Sequence, residues 1–208
     1  PKARDPEVVL VTGALPFLAG LPQGLITRAR AQLKDAGVAI ISGYNVVRVE
    51  PKRLELEDGT QLPFDAAVWC AGLQSPSLVR ALSVPHGHGG RIATTPALEI
   101  PGYPGCFGAG DVIELRDPVS KALVPGTAQA AIMEARASAT NLLARWNGKP
   151  RVPFRYRERG TIVAVGRGRG AGVVGRLTLW GNSAAYLKRI VQREYSEAVE
   201  RGSTPRGL

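Results

Sequence analysis

The run Pro101-Gly-Tyr-Pro-Gly-Cys-Phe-Gly-Ala-Gly-Asp111 constrains the fold of this chain more than any other stretch. Its glycines and prolines exclude a long strand, so residues 106–109 are expected to form a short, tightly packed one whose small side chains let another group approach the backbone. Gly110 then supplies a turn with unusual backbone angles. Asp111 follows it at a strand's carboxyl end, where open α/β sheets bind ligands, and its carboxylate suits a hydroxylated one. Downstream, Pro125-Gly-Thr-Ala-Gln-Ala-Ala-Ile-Met-Glu134 opens an alanine-rich helix expected over 128–143. Thr127 is its expected N-cap, and its first-turn amides are suited to an anionic or carbonyl-bearing partner.

The remaining segments point to an α/β chain. Val8-Val-Leu-Val11 reads as a buried parallel strand. Leu25, Ile26, Ala29, Leu33 and Ala36 recur at helical spacing ahead of Gly37, leaving Arg28, Arg30 and Lys34 for water. Strands are expected at 38–41 and 46–49, then a hairpin turning on Asp58-Gly59. The apolar run Ala66-Ala-Val-Trp-Cys70 reads as a further strand ending at Ala71-Gly72. Residues 73–100 read as a crossover. Within it, His86-Gly-His88 has two metal-ligating side chains but three nearby glycines and no third ligand, which argues for a loop, and no metal site is expected.

A boundary is expected after Asn147-Gly-Lys-Pro150, where the composition shifts. Gly170-Ala-Gly-Val-Val-Gly175 fits the spacing of a dinucleotide fingerprint but runs into the alternating stretch Leu177-Thr-Leu-Trp180 rather than a helix, so a glycine-lined packing surface is expected instead. A final helix is expected from about Ser183 to Val199, with Leu187, Ile190, Val191, Tyr195 and Ala198 on one stripe and Lys188, Arg189, Gln192 and Arg193 off it.

Charge is unevenly distributed in this chain of 208 residues with net charge +10: residues 1–150 carry 15 Lys/Arg against 13 Asp/Glu, and residues 151–208 carry 12 against 4. The basic tail suits an anionic membrane or an acidic partner. Its few aromatics and lack of a reader motif argue against nucleic acid. No apolar run approaches the roughly 20 residues that span a bilayer, and the reading is of a cytoplasmic protein, with peripheral attachment to the inner face of the cell membrane through 151–208 as a candidate. Cys70 and Cys106 are too far apart for a redox pair and, among apolar neighbours, read as inert buried thiols.

Phe107-Gly-Ala-Gly-Asp111 followed by Thr127-Ala-Gln-Ala130 resembles the second flavin motif of two-dinucleotide-domain flavoproteins, above all type II NADH:quinone oxidoreductases and their pyridine nucleotide-disulfide oxidoreductase relatives. The resemblance runs along nearly all of residues 6–200. It implies that Gly110 and Asp111 meet the flavin's ribityl chain, that Thr127, Ala128 and Gln129 face its ring, and that Gln129 also faces the quinone. Ala71 and Gly72 inherit a nicotinamide-nucleotide role. The family's second glutamine is replaced by Met133, which puts the quinone in question. Where the family's βαβ units place a ribose-binding carboxylate, this chain has Thr12 or Gly13, leaving room for NADPH or a lost site.

The implied architecture is the second half of an NAD(P)H-binding domain at 1–72, the C-terminal part of an FAD-binding domain at 73–149 and a small basic domain at 150–208. The implied function is part of a flavin-dependent NAD(P)H dehydrogenase that passes hydride from nicotinamide to FAD and electrons to a quinone. Both Gly-rich nucleotide turns of the family are missing from the sequence, so the isolated chain is expected to bind FAD and NAD(P)H incompletely. Two alternatives stay open: a flavin reductase with a protein or sulfur acceptor, and a non-catalytic basic module that binds membrane or partner. Self-association is a further candidate. No residue stands out as an acid, base or nucleophile; Glu134 reads as a solvated helix charge, with proton carriage as its alternative.

Overall fold

The computed structural model describes residues 7–14, 17–19, 21–166 and 168–203. The chain forms two compact units, residues 1–70 with 159–192 and residues 71–158 with 193–208.

In the first unit, strands β1 (Val8–Val11) and β2 (Val38–Ile41) pair in parallel through helix α1 (Gln23–Asp35). The amphipathic spacing read from the sequence explains the packing. Leu25 and Ala29 are fully buried, in a core shared with Phe17, Val165 and Ala171. Gly37 takes the left-handed backbone (φ +78°) that ends the helix. Arg28 is not simply solvated, as its guanidinium lies 4.2 Å from the Trp180 ring centroid.

Strands β3 (Val46–Glu50), β4 (Arg53–Leu56) and β5 (Gln61–Pro63) form an antiparallel meander, with the Asp58-Gly59 turn between the last two. The expected strand at 66–70 does not form. No described strand pairs with it, and Val68 and Trp69 remain 89% and 65% exposed. Apolar character alone cannot make a strand, because its amides and carbonyls need a neighbouring ladder.

Later in the chain, β8 (Gly160–Ala164), β9 (Gly170–Val174) and β10 (Leu177–Trp180) form an antiparallel sheet, and α4 (Gly181–Glu200) follows at once. The Gly170-to-Gly175 run is thus mostly strand and not a phosphate loop. A β-carbon on Gly172 would stand 2.5 Å from the Thr161 carbonyl oxygen, so glycine permits the close approach of β8 to β9.

The second unit contains the short helix α2 (Ser77–Arg80), the two-residue parallel strands β6 (Ile92–Ala93) and β7 (Ile113–Glu114), and the long helix α3 (Ala128–Trp146). Residues 106–109 form no strand. They make one bridge, Glu99 to Phe107, because glycine on either side prevents a continuous ladder. Cys70 and Cys106 are both exposed, contrary to the burial expected from their apolar neighbours. The parallel and antiparallel sheets with intervening helices bear out the α/β class.

The core of this unit gathers Ile92, Leu98, Ile113, Leu115 and Phe154. Asn141, 2% exposed on α3, joins two loops: its amide nitrogen donates to the carbonyls of Ala97 and Val152, and its oxygen accepts from the Val152 amide. The Phe154 amide donates to the Pro96 carbonyl. These bonds hold the extended segment after Val152 against α3.

Candidate functional site

Helix α3 builds the site from a polar stripe. Glu134, Ser138, Asn141 and Arg145 follow one another at spacings of four, three and four, so they lie along one face of the helix. Glu134 accepts the Gly110 amide at 2.7 Å, and Ser138 donates to the Gly108 carbonyl at 2.9 Å. Two side chains one turn apart therefore grip both ends of the Gly108-Ala-Gly110 turn. Arg145 and Arg151 meet the buried carboxylate of Glu99 at 3.4 and 2.8 Å, and Glu99 in turn accepts the Gly105 amide. Hydrogen bonds from α3 and its neighbours thus hold the glycine-rich segment, while Phe107 packs on the apolar core of the unit.

Gly110 has φ +80° and a β-carbon there would lie 3.5 Å from Ala131, so the turn lies close against the helix. It delivers Asp111 to a cleft that also contains Arg91, Gly126, Thr127 and Glu134. Asp111 is exposed in this cleft, in contrast to buried Glu134. A β-carbon on Gly126 would approach Asp111 Oδ1 to 3.2 Å and Arg91 Nη2 to 3.5 Å. That glycine keeps open the space between a carboxylate and a guanidinium. The rest of the lining is apolar, from Ile113, Leu115, Val124 and Pro125 and the methyl groups of Ala130 and Ala131.

Thr127 is the N-cap expected from the sequence, its Oγ1 accepting the Ala130 amide at 3.2 Å. The Thr127 side chain also bonds the phenol of Tyr156, whose Oη donates to Gln129 Oε1 at 3.1 Å. Burial is the main influence raising the Tyr156 pKa above its ordinary value. The Thr127 bond opposes it, and the nearby negative charges of Glu158 and Glu134 reinforce it.

Glu134 is 4% exposed, which corrects its reading as a solvated helix charge. Burial raises its pKa above the ordinary carboxylate value; the Gly110 amide pulls in the opposite direction, and the Asp111 charge adds to the rise. The signal that identifies it in the sequence is its place in the 134/138/141/145 polar stripe on a helix otherwise rich in alanine. Arg91 and Tyr156 carry no comparable local signal, because each reaches the site from a different segment.

Of the residues singled out in the sequence, Gly110, Asp111 and Thr127 line the one cleft, Ala128 is exposed at the first position of α3, and Gln129 is held on Tyr156. Ala71 and Gly72 are exposed and do not line the cleft; Gly72 adopts φ +96°. His86 Nε2 is bonded to the Val79 carbonyl, and the described residues contain no group of three or more metal-ligating side chains. Chemically, the cleft offers an acceptor for hydroxyl groups at Asp111, a cation at Arg91 and a glycine, Gly126, beside both.

Comparison with known proteins gives a consistent picture. The family profile described as pyridine nucleotide-disulphide oxidoreductase matches residues 2–135. The chain is 28% identical to the mitochondrial internal alternative NAD(P)H-ubiquinone oxidoreductase A1 of Arabidopsis thaliana, over 90% of the chain and 41% of that protein. It is 31% identical to demethylphylloquinone reductase NdbB of Synechocystis, over 84% of the chain and 44% of that protein. A type II NADH:quinone oxidoreductase of Staphylococcus aureus is 29% identical over 89% of the chain and 46% of its own length. The chain spans less than half the length of these curated relatives.

Among solved structures, Plasmodium falciparum NDH2 in complex with NADH superposes with a TM-score of 0.75 at 14% identity, covering 90% of this chain and 54% of that one. The sulfide:quinone oxidoreductase of Aquifex aeolicus gives 0.70 at 17% identity, covering 95% and 51%. At these identities the likeness is one of fold.

Proposed function

Because the chain belongs to the pyridine nucleotide-disulphide oxidoreductase family, we propose that it forms part of an FAD-dependent NAD(P)H dehydrogenase whose electrons leave to a quinone. The observation that carries this reading is the meeting of Asp111, Arg91 and the Thr127-capped start of α3 around a surface kept clear by Gly110 and Gly126. These residues fit part of a flavin dinucleotide. Asp111 accepts from ribityl hydroxyls, Arg91 offers its charge to a carbonyl or phosphate oxygen, and Gly110 with Thr127, Ala128 and Gln129 presents backbone and a short polar edge to the ring. When bound, the flavin supplies the hydride-accepting and electron-releasing chemistry. The protein's task is to orient it and exclude water.

In this reading residues 1–72 belong to the NAD(P)H-binding domain, with Ala71 and Gly72 beside the nicotinamide nucleotide; residues 73–149 belong to the FAD-binding domain, and 150–208 form the small C-terminal domain. Quinone is favoured over a sulfur acceptor because Cys106, the cysteine of the same unit, does not line the cleft. The three curated relatives named above are also quinone or ubiquinone reductases by name. Peripheral membrane contact would use α4, where Tyr186, Ile190, Tyr195 and Val199 are exposed beside Arg189 and Arg193. Among the described residues no helix is long and apolar enough to cross a membrane.

The test is steady-state oxidation of NADH and of NADPH by the natural polypeptide that carries this sequence, purified with flavin, using a short-chain ubiquinone and a persulfide as competing acceptors. Quinone-dependent turnover supports the reading. Turnover confined to the persulfide, or none with either nucleotide, contradicts it.

A further inference from the structure

Glu134 is the buried titratable group of the cleft, and the proposed function leaves it without a chemical task. It is 4% exposed, lines the same cleft as Asp111, and accepts the Gly110 amide at 2.7 Å, one residue before Asp111. Holding that turn needs an acceptor oxygen and no charge, so a glutamine would serve at a lower cost of burial. What a carboxyl adds is a proton that can come and go. The Gly110 bond survives either state, because a neutral carboxyl keeps an acceptor oxygen.

The groups around Glu134 leave it open to both states. Burial favours its protonated form, the Gly110 amide opposes this and the Asp111 charge supports it. Tyr156, which also feels the Glu134 charge, reaches the site from the extended segment after Val152. Among the described residues that line the cleft, Arg91 is the one cation, and it approaches Gly126 beside Asp111. Glu114, on β7, accepts the His88 amide, and Ser138, the next residue on this face of α3, is uncharged. A further charge in the cleft therefore tips the balance at Glu134. A unit charge about 10 Å away, at an effective dielectric constant of about 20, changes the proton affinity of a carboxylate about tenfold.

We propose that Glu134 is a redox-linked proton site: its carboxylate takes a proton from water when a hydride reaches the flavin held in this cleft, and gives it back when the electrons leave. This deepens the proposed function and rests on it, since it takes the flavin to lie against Asp111. The hydride carries two electrons and one proton from the nicotinamide, so its arrival adds one negative charge to the cleft. An O–H bond forms on Glu134 with a solvent proton and offsets that charge. When both electrons pass to the quinone with the proton of the hydride, the charge is gone and the Glu134 O–H bond breaks. Its proton returns to water, from which the quinone draws its second one, so each cycle consumes one proton overall.

The experiment measures the flavin midpoint potential against pH in the flavin-loaded natural polypeptide, as wild type and Glu134→Gln. Reduced-minus-oxidised infrared spectra are recorded on protein carrying isotope-labelled glutamate. At low pH both proteins hold a neutral residue at this position and should have equal potentials. As the pH rises above 4.5, the potential of Glu134→Gln should exceed that of wild type by a growing gap. That gap should reach about tenfold in the reduction equilibrium, about 30 mV for a two-electron couple, and then level off. A carboxyl band sensitive to the label should appear on reduction of wild type and be missing from Glu134→Gln. In Glu134→Asp, which keeps a carboxyl, the band should persist and stop responding to the label.

Equal potentials at every pH overturn the proposal and leave the flavin reading intact. So does a gap that does not change with pH, the mark of a merely structural residue. Absence of the band from wild type overturns it whether or not the variants retain flavin. Failure of the natural polypeptide to bind flavin overturns the proposed function and this inference together.

Discussion

Asp111 and Glu134 are two carboxylates of one cleft with different surroundings. Asp111 is exposed toward the open space beside Gly126, whereas Glu134 is buried and bonded to the Gly110 amide. Removing the Glu134 acceptor, as in Glu134→Ala, leaves that amide without its partner and is expected to destabilise the chain by about 1–3 kcal/mol, measured by urea unfolding. Glu134→Gln keeps an oxygen acceptor and should fold. The pH dependence has a definite sign. Because the folded-state pKa of Glu134 is raised above its ordinary 4.5, its favourable contribution is present below that value and is lost as the pH rises through the folded pKa. The Tm of Glu134→Gln relative to wild type should therefore increase as the pH rises above 4.5. A difference that stays flat as the pH rises would contradict a Glu134 whose pKa is raised by burial. The sequence reveals Asp111 through its place after a glycine turn. It hides the burial of Glu134, because an isolated glutamate on a helix is ordinarily solvated and only the 134/138/141/145 spacing marks the exception.

Helix α3 organises the second unit through capping and stapling. Thr127→Ala removes the N-cap acceptor and should cost about 1 kcal/mol, with Thr127→Ser retaining most of the stability. Asn141→Leu fits roughly the same volume but leaves the Ala97 and Val152 carbonyls and the Val152 amide without their partner, and is expected to cost more than Thr127→Ala. Equal unfolding midpoints for these two variants would show that Asn141 does not join the loops to the helix. In the other unit, Gly172→Ala should weaken the β8–β9 pairing, since the added methyl meets the Thr161 carbonyl. Helices α1, α3 and α4 and the Asp58-Gly59 hairpin were legible because periodicity, caps and turn residues act locally. The strand expected at 66–70 was not, because strand formation depends on a neighbour that local sequence does not specify.

At the scale of the whole chain, α/β class and family membership were readable from two short motifs, while the convergence of Arg91, Asp111 and Thr127 required the fold. Tyr156 illustrates the difference: nothing near it in sequence points to Gln129, 27 positions away, yet the pinning of its segment by Asn141 brings the phenol there. The chain covers less than half of the length of its curated relatives. Purified alone, the 208-residue chain is expected to carry well under one equivalent of flavin, read from its visible absorbance. The central claim is that the Asp111 cleft grips the flavin in the natural polypeptide. Its most direct test is FAD affinity measured by fluorescence quenching after reconstitution of the wild-type and Asp111→Ala apoproteins. Loss of a charge-assisted hydrogen bond predicts a Kd raised about ten- to a hundredfold with unchanged far-UV dichroism, whereas an unaltered Kd would contradict the assignment.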